Sequence, residues 1–157
     1  MSNEQILRIT RVVLRLALAI AFLAAVADRL GLLGPYGSRN VAWGDWKHFQ
    51  DYVAVLNWFV PKALIPTLSA VETVIEAGLG IGLVVGIYPR TVAWLSAALL
   101  CSFALTMTIA LGFLAPVSYG VFTSVGAALL LGAVATPSRA PLTHSESLLS
   151  AESKVAP

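Results

Sequence analysis

Four apolar stretches limit how this chain can fold. As helices, each would be about as long as a lipid bilayer is thick. A helix needs about 20 largely apolar residues to cross the hydrocarbon core, where it also satisfies its own backbone hydrogen bonds. Hydrophobic residues make up 58% of the 157 residues and charged residues 11%, far outside the range of soluble domains. The sequence therefore predicts an all-α, four-transmembrane-helix bundle within residues 1–136. The predicted spans are residues 9–27, 65–87, 92–113 and 116–135.

The links between the spans predict how the helices are oriented. The second and third links contain only a few residues, which forces neighbouring spans to run antiparallel. Lys and Arg favour the cytoplasmic side of short loops, so both termini are predicted to be cytoplasmic. That side carries Arg8, Arg11, Arg15, Arg90, Arg139 and Lys154, and the other carries Arg29, Arg39, Lys47 and Lys62. Arg15 lies inside the first span and is expected to snorkel to the lipid headgroups.

The first span has an alternative interpretation as a cleavable signal peptide. It has a basic start, an apolar centre and the sequence Ala25-Val26-Ala27, which imitates a cleavage site. A retained helix is favoured because Arg15 interrupts the apolar centre and because cleavage would remove a packing partner from the other three spans.

The outer loop, residues 28–64, contains a pattern typical of an amphipathic helix lying at the membrane surface. Its apolar side is predicted to consist of Trp46, Phe49, Val53, Leu56 and Val60, and its polar side of Asp45, Lys47, His48 and Asp51. This helix is expected to cap the outer mouth of the bundle. Residues 137–157 are poor in large apolar side chains and are predicted to form a disordered cytoplasmic tail.

Two glutamates in the second span are the strongest functional signal. A charged carboxylate within a bilayer costs at least a few kcal/mol, so it normally faces the bundle interior and finds a partner. Glu72 and Glu76 are one helical turn apart and share a face with Gly80. A different stripe, Gly78, Gly82 and Gly86, is expected to be the face of close helix packing. Two carboxylates at this spacing disfavour joint ionisation and are compatible with a proton-binding site.

Other polar residues are predicted to lie at similar depth. Counting at about 1.5 Å per residue, Glu72, Thr106 and Thr123 lie about seven residues from the outer end of their spans. Glu76 and Ser102 lie about eleven residues in, and Tyr119 lies nearer the rim. Asp28 and Arg29 end the first span, and Arg29 is expected to pair with Glu72. The candidate ligand- or proton-binding residues are therefore Glu72, Glu76, Arg29, Asp28, Ser102, Thr106, Tyr119 and Thr123; a purely structural role for them is the alternative.

Several classes of site are disfavoured by the sequence, and no catalytic residue is assigned. His48 and His144 lack a second ligand at metal-binding spacing, and each is expected to be a solvated or interfacial side chain. Cys101 is the only cysteine, which excludes an internal disulfide. Basic residues are scattered singly, so no nucleic-acid partner is expected.

The motifs in the first two spans resemble those of the DoxX family of small four-helix membrane proteins. They are AVADRLGLLGP at the end of the first span and E-x-x-x-G-x-x-L-x-x-G-x-x-x-R in the second. The second motif corresponds to Glu76, Gly80, Leu83, Gly86 and Arg90, and the resemblance covers about residues 8–135. This chain departs from the simplest pattern in its tryptophan-rich insertion between the spans and in its extra acid, Glu72.

The resemblance implies an accessory or quinone-associated subunit of a redox system in the bacterial inner membrane. It implies a quinone as the candidate cofactor and a redox protein as a candidate partner. Two alternatives stay open on the sequence: a small proton- or cation-coupled transporter or channel component, and a structural anchor for a partner protein. A homo-oligomer is compatible with each of these functions.

Overall fold

The computed structural model describes residues 1–135 and confirms the all-α class. The predicted tail, residues 137–157, lies outside the described residues. Three helices are long and apolar enough to cross a membrane, and a shorter apolar helix follows them. The elements are α1 (Asn3–Arg29), α2 (Trp46–Leu56), one 3-10 turn (Lys62–Leu64), α3 (Ile65–Val85), α4 (Pro89–Leu111), α5 (Leu114–Ser118) and α6 (Val121–Val134).

The four principal helices form a closed ring in the order α1, α3, α4, α6. Both α1 and α4 pack against α3 and α6. Gly82 of α3 faces Val92 near the start of α4, and Gly132 near the end of α6 faces Trp94 of α4. These contacts join the end of one helix to the start of the next, so the predicted antiparallel arrangement is confirmed. The core inside the ring includes Leu18, Phe22, Leu83, Leu100 and Leu131.

The two ends of the ring differ in what they carry. The loop end is the end at which α1 finishes at Arg29 and over which α2 packs. The terminal end is the opposite one, where α1 begins, α3 finishes at Val85 and α4 begins at Pro89. These two names are used below.

The fourth predicted span, residues 116–135, is not one continuous helix. The short helix α5 ends at Ser118, and Gly120 adopts a left-handed conformation with φ of 66° before α6 begins. A left-handed glycine is a common way to end a helix, because it avoids the steric penalty of a Cβ atom. With 14 residues, α6 is about 21 Å long at 1.5 Å per residue, shorter than the hydrocarbon core of about 30 Å.

Two of the three glycines in the stripe predicted for close packing lie close to neighbouring side chains. An added Cβ atom would lie 3.4 Å from Val92 at Gly82 and 3.0 Å from the Arg15 Cζ atom at Gly86. A Cβ atom on Gly78 would meet nothing within 4 Å, whereas one on Gly80 would lie 2.9 Å from Leu23 of α1. Gly80 is on the same face as the two glutamates. The polar face of α3 is therefore also a face of close packing, because it is turned towards α1.

The predicted amphipathic helix is confirmed as α2. Asp45 caps its N-terminus by accepting a hydrogen bond from the backbone N–H of His48. Phe49, Val53 and Leu56 are buried, while Lys47 and Asp51 are exposed and form an ion pair. α2 packs on α3 and α4 and thereby covers the loop end of the ring.

Candidate functional site

A buried ion pair between α1 and α3 lies at the loop end. The Arg29 Nη2 atom donates to the Glu76 Oε2 atom at 2.5 Å, and the two side chains are 1% and 5% exposed. The Arg29 Nη1 atom donates to the Thr73 hydroxyl at 3.0 Å, and Nε donates to the Ala25 carbonyl oxygen at 3.1 Å. One guanidinium is thus fixed by three partners on two helices.

The predicted pairing of Arg29 with Glu72 is wrong, because the ion pair is made with Glu76. Side chains in a helix lean towards its N-terminus, and the bond to Ala25 holds Arg29 in that direction along α1. The guanidinium therefore lies deeper in the bundle than its own Cα atom. Because α3 runs antiparallel to α1, the carboxylate at that deeper level is Glu76.

Two aromatic rings from the loop complete the surroundings of Arg29. The guanidinium carbon lies 3.9 Å from the centre of the Phe49 ring and 5.2 Å from that of the Trp43 ring. The negative face of an aromatic ring attracts a cation, and the attraction is strongest where water is excluded. The loop therefore covers the ion pair with groups that favour the charged guanidinium.

Asp28 lies at the end of α1, as predicted, and binds the loop. Its carboxylate accepts backbone N–H groups from the loop, at 2.8 Å from Ala42, 2.9 Å from Gly44 and 3.4 Å from Trp43. Asp28 is buried and is absent from the residues that line the cavity described next. It fixes the loop to the end of α1, and this in turn places Trp43 beside Arg29.

The ion pair lines a cavity of about 540 Å³ beneath α2. Apolar and aromatic side chains make up most of its wall, among them Phe22, Trp43, Phe49, Phe103 and Met107. Of the predicted candidates, the structure brings Arg29, Glu72, Glu76 and Tyr119 to this cavity. The other polar side chains in the wall are Tyr36, His48, Asp51, Tyr52 and Ser124. The ion pairs found within residues 1–135 do not include Glu72, which is half-buried.

Besides Asp28, three predicted candidates are not brought to the cavity. Ser102 is exposed and donates to the Leu99 carbonyl oxygen of its own helix. Thr106 likewise donates to the carbonyl oxygens of Ser102 and Phe103. Thr123 is exposed on α6. The depth of a residue along its span does not show which face of the helix it occupies. In addition, a Ser or Thr hydroxyl can donate its hydrogen bond to a carbonyl oxygen of its own helix.

Tyr52 belongs to the site although sequence reasoning missed it. It lies on α2 and lines the cavity. Burial raises the pKa of Tyr52 to about 12, with further contributions from Tyr119 and from Glu72. The phenol therefore stays protonated at physiological pH and is a hydrogen-bond donor. Its position one turn after His48 on the amphipathic helix was the available signal.

His48 lies at the cavity as a half-buried side chain. Its Nδ1 atom is 2.8 Å from the Asp45 Oδ2 atom, and its ring is stacked on Tyr36 at 3.8 Å between centroids. Hydrogen bonds from the backbone and ring of His48 hold the pKa of Asp45 below its ordinary value. Within the described part of the chain, no group of His, Cys, Asp and Glu has the arrangement of a metal site. Cys101 is exposed.

Comparison with known families gives one match. The family described as Methylamine utilisation protein MauE matches residues 7–120, which includes every residue of the ion pair and of its aromatic cover. The chain belongs to the MauE family, a DoxX-related family of small membrane proteins. The predicted resemblance is thus confirmed at the level of this wider relationship. No curated protein and no solved structure shows a significant match.

Proposed function

We propose that this MauE-family protein is an accessory membrane component of a redox system for methylamine utilisation, and that its loop-end cavity binds a quinone headgroup. The observation that carries the proposal is a fixed guanidinium, Arg29, in the wall of a largely apolar cavity with a second acid, Glu72, beside it. The family match supports the link to methylamine utilisation. The family match also supports a bacterial inner-membrane location, and the distribution of Lys and Arg supports cytoplasmic termini.

Arg29 keeps hydrogen-bonding capacity after its protein contacts are made. A guanidinium has five N–H donors in a fixed plane. Three of them are used by Ala25, Thr73 and Glu76. Two N–H groups are left over from these contacts, and their direction is set by the three that are occupied. A ligand with a carbonyl oxygen could accept from them.

The cavity suits a flat, mostly apolar ligand with a few acceptor oxygens. Its volume falls within the range of about 300–1,000 Å³ typical of small-molecule sites, and its wall combines apolar rings with a few polar groups. Trp43, Phe49 and Tyr52 offer aromatic surface, and the Tyr52 phenol offers a further donor. A quinone headgroup has the matching chemistry, namely a planar ring with two carbonyl acceptors.

The position beside Phe49 and Trp43 disfavours a cationic ligand. The aromatic faces of Phe49 and Trp43 already accommodate the Arg29 guanidinium, so a second cation there would be repelled. This argues against a methylammonium or metal cation beside these two rings; Glu72 and Asp51 in the rest of the wall carry no such repulsion. A neutral carbonyl compound meets no such repulsion.

The two acids have different roles in this proposal. Glu76 holds Arg29 in place, so its carboxylate is occupied. Glu72 lines the cavity outside the ion pair and is positioned to accept or return a proton at its carboxylate oxygens. A bound quinone would supply two-electron redox chemistry coupled to protons. The chain's own residues would bind and orient the ring, and α2 would keep water away.

The test is the quinone content of the purified protein. Wild type, Arg29→Lys and Thr106→Val are purified identically, extracted with organic solvent and assayed for quinone per protein. Lysine keeps the charge for Glu76 but not the planar set of donors, so Arg29→Lys is expected to retain about tenfold less quinone. Thr106→Val, away from the cavity, is expected to match wild type. Equal quinone in all three would refute the site, and a folded Arg29→Lys protein is verified by its circular dichroism.

A further inference from the structure

Two arginines at the terminal end lie on the bundle-facing side of α1. Arg11 and Arg15 are separated by four residues, and Leu18 and Phe22 continue the same stripe into the core. Both arginines are half-buried, in contrast to Val12 and Val13 between them, which are exposed. The Arg15 side chain is directed towards the end of α3.

The position of Arg15 is defined by the end of α3. A Cβ atom on Gly86, the left-handed residue that ends α3, would lie 3.0 Å from the Arg15 Cζ atom. The guanidinium thus lies against the C-terminal turn of α3, where the unpaired carbonyl groups carry a partial negative charge. Only glycine leaves this space free. The end of α3 therefore provides a fixed place for the positively charged Arg15 guanidinium.

The positive charge of the two arginines is not neutralised by the described residues. The Nε atoms of Arg11 and Arg15 are both buried without a hydrogen-bond partner in residues 1–135. The ion pairs of this part of the chain involve Arg29, Lys47 and His48 instead. Buried polar atoms are nearly always paired, so two orphaned Nε atoms on adjacent turns show that the described residues do not satisfy these guanidiniums.

The surroundings restrict what that acceptor is. At the level of Arg11 and Arg15, the rest of α1 exposes Val12, Val13 and Leu16 at 42%, 58% and 42%. Such a surface is stable only against lipid chains in a helix that crosses the membrane. An anion bound to both guanidiniums would lie beside this apolar surface, which acyl chains would cover.

We propose that Arg11 and Arg15 form a binding site for the phosphate headgroup of an anionic phospholipid. A guanidinium matches phosphate oxygens with paired, charge-assisted hydrogen bonds. Basic pockets between transmembrane helices are a known type of site for anionic headgroups. The acyl chains would lie along Val12 and Leu16. This site is independent of the loop-end cavity and of the quinone proposal.

The experiment is a lipid titration of the delipidated full-length protein by native mass spectrometry. The probe is phosphatidylglycerol, with phosphatidylcholine of the same acyl chains as the comparison. The test variant is Arg11→Gln/Arg15→Gln. The matched control is Arg8→Gln/Arg90→Gln, which removes the same charge from exposed positions at the same end.

We expect wild type to retain one phosphatidylglycerol and to bind phosphatidylcholine at least tenfold more weakly, since choline places a cation beside the arginines. The test variant is expected to lose at least tenfold in affinity for phosphatidylglycerol, and the control less than about twofold. If the test variant does not fold, Arg11→Lys/Arg15→Lys is measured instead and is expected to bind several-fold more weakly than wild type. Equal affinity in wild type and the test variant would overturn the site. Displacement of the lipid by millimolar inorganic phosphate would overturn the assignment to a lipid.

Discussion

The arginines at the two ends of α1 differ in whether the protein supplies their polar partners. At the loop end, Arg29 is fully buried and is held by Glu76, Thr73 and the Ala25 carbonyl group under two aromatic rings. At the terminal end, Arg11 and Arg15 are directed into the same bundle, yet their Nε atoms lack a partner in the described chain. The protein's own Glu76 neutralises Arg29 at the loop end, whereas Arg11 and Arg15 have no acid partner among the described residues.

The difference arises from what the facing helix offers at each level. Towards the loop end, α3 presents Glu72, Thr73 and Glu76. Towards the terminal end, it presents Gly86, which has no polar side chain. A buried arginine is therefore not informative alone. Its role depends on whether its neighbour supplies an acid, as α3 does for Arg29, or only room and a helix end, as it does for Arg15.

The largest expected effect comes from breaking the ion pair at the loop end. Glu76→Ala leaves the Arg29 guanidinium buried without its carboxylate, which is expected to lower the free energy of unfolding by about 3–5 kcal/mol. The measurement is denaturant-induced unfolding in detergent. Arg15 forms no ion pair within the described residues. Arg15→Gln is therefore expected to change the free energy of unfolding by less than about 1 kcal/mol. Equal losses of unfolding free energy in Glu76→Ala and Arg15→Gln would contradict the proposed difference between the two ends.

The loop attachment is expected to be the next most sensitive feature. Asp28→Ala leaves the backbone N–H groups of Ala42, Trp43 and Gly44 without their acceptor and is expected to destabilise the protein by about 2–3 kcal/mol. Limited proteolysis checks this result, because cleavage within residues 30–45 is expected to accelerate. Asp28→Asn keeps one acceptor oxygen and is the milder control. Unchanged cleavage in Asp28→Ala would show that other contacts fix the loop.

Close packing on the glutamate face of α3 gives a smaller expected effect. Gly80→Ala places a Cβ atom 2.9 Å from Leu23, and displacement of that side chain is expected to cost about 1–2 kcal/mol. Gly78→Ala, with no neighbour within 4 Å, is expected to be neutral or to stabilise the helix by about 0.5–1 kcal/mol. Thermal unfolding of both variants measures the difference. The opposite order would show that α3 packs more closely at Gly78 than at Gly80.

The smallest expected effect is a dependence of α2 on acid. The folded-state pKa of Asp45 lies below its ordinary value of 3.8, chiefly because the carboxylate accepts the His48 backbone N–H. Its contribution is therefore fully present above about pH 5 and is lost as the pH falls through the folded-state pKa. Asp45→Asn still caps the helix but does not titrate. Protease sensitivity of residues 45–56 is expected to rise less on acidification in this variant, and an identical rise would assign the acid response elsewhere.

The class of fold and the loop helix could be predicted because both depend on the spacing of apolar residues. The spans follow from the length of apolar runs, and the buried side of α2 follows from Phe49, Val53 and Leu56 at helical spacing. The break in the fourth span was not predictable in the same way. Residues 116–135 are long enough for a span, and the left-handed backbone of Gly120 shows that the helix stops within them.

The candidate site was predictable in its acids but not in its pairing. Glu72, Glu76 and Arg29 stood out because ionisable groups are costly in a membrane. The choice of Glu76 over Glu72 depends on the direction in which the Arg29 side chain leans, which sequence depth does not give. Ser102, Thr106 and Thr123 had suitable depths but lie away from the cavity. Tyr52 and the position of His48 depend on how the loop folds, which is fixed by the contacts of Asp28.

Photoaffinity labelling with an azido-quinone tests most directly whether the loop-end cavity is the ligand site. The full-length protein in lipid nanodiscs is irradiated with the probe, digested and sequenced by mass spectrometry, with and without excess unmodified quinone. We expect competed label in residues 43–56 and 72–76, which form the cavity wall around Arg29. Label confined to the terminal end, or label at the cavity that excess quinone does not reduce, would contradict the assignment of the cavity as a quinone site.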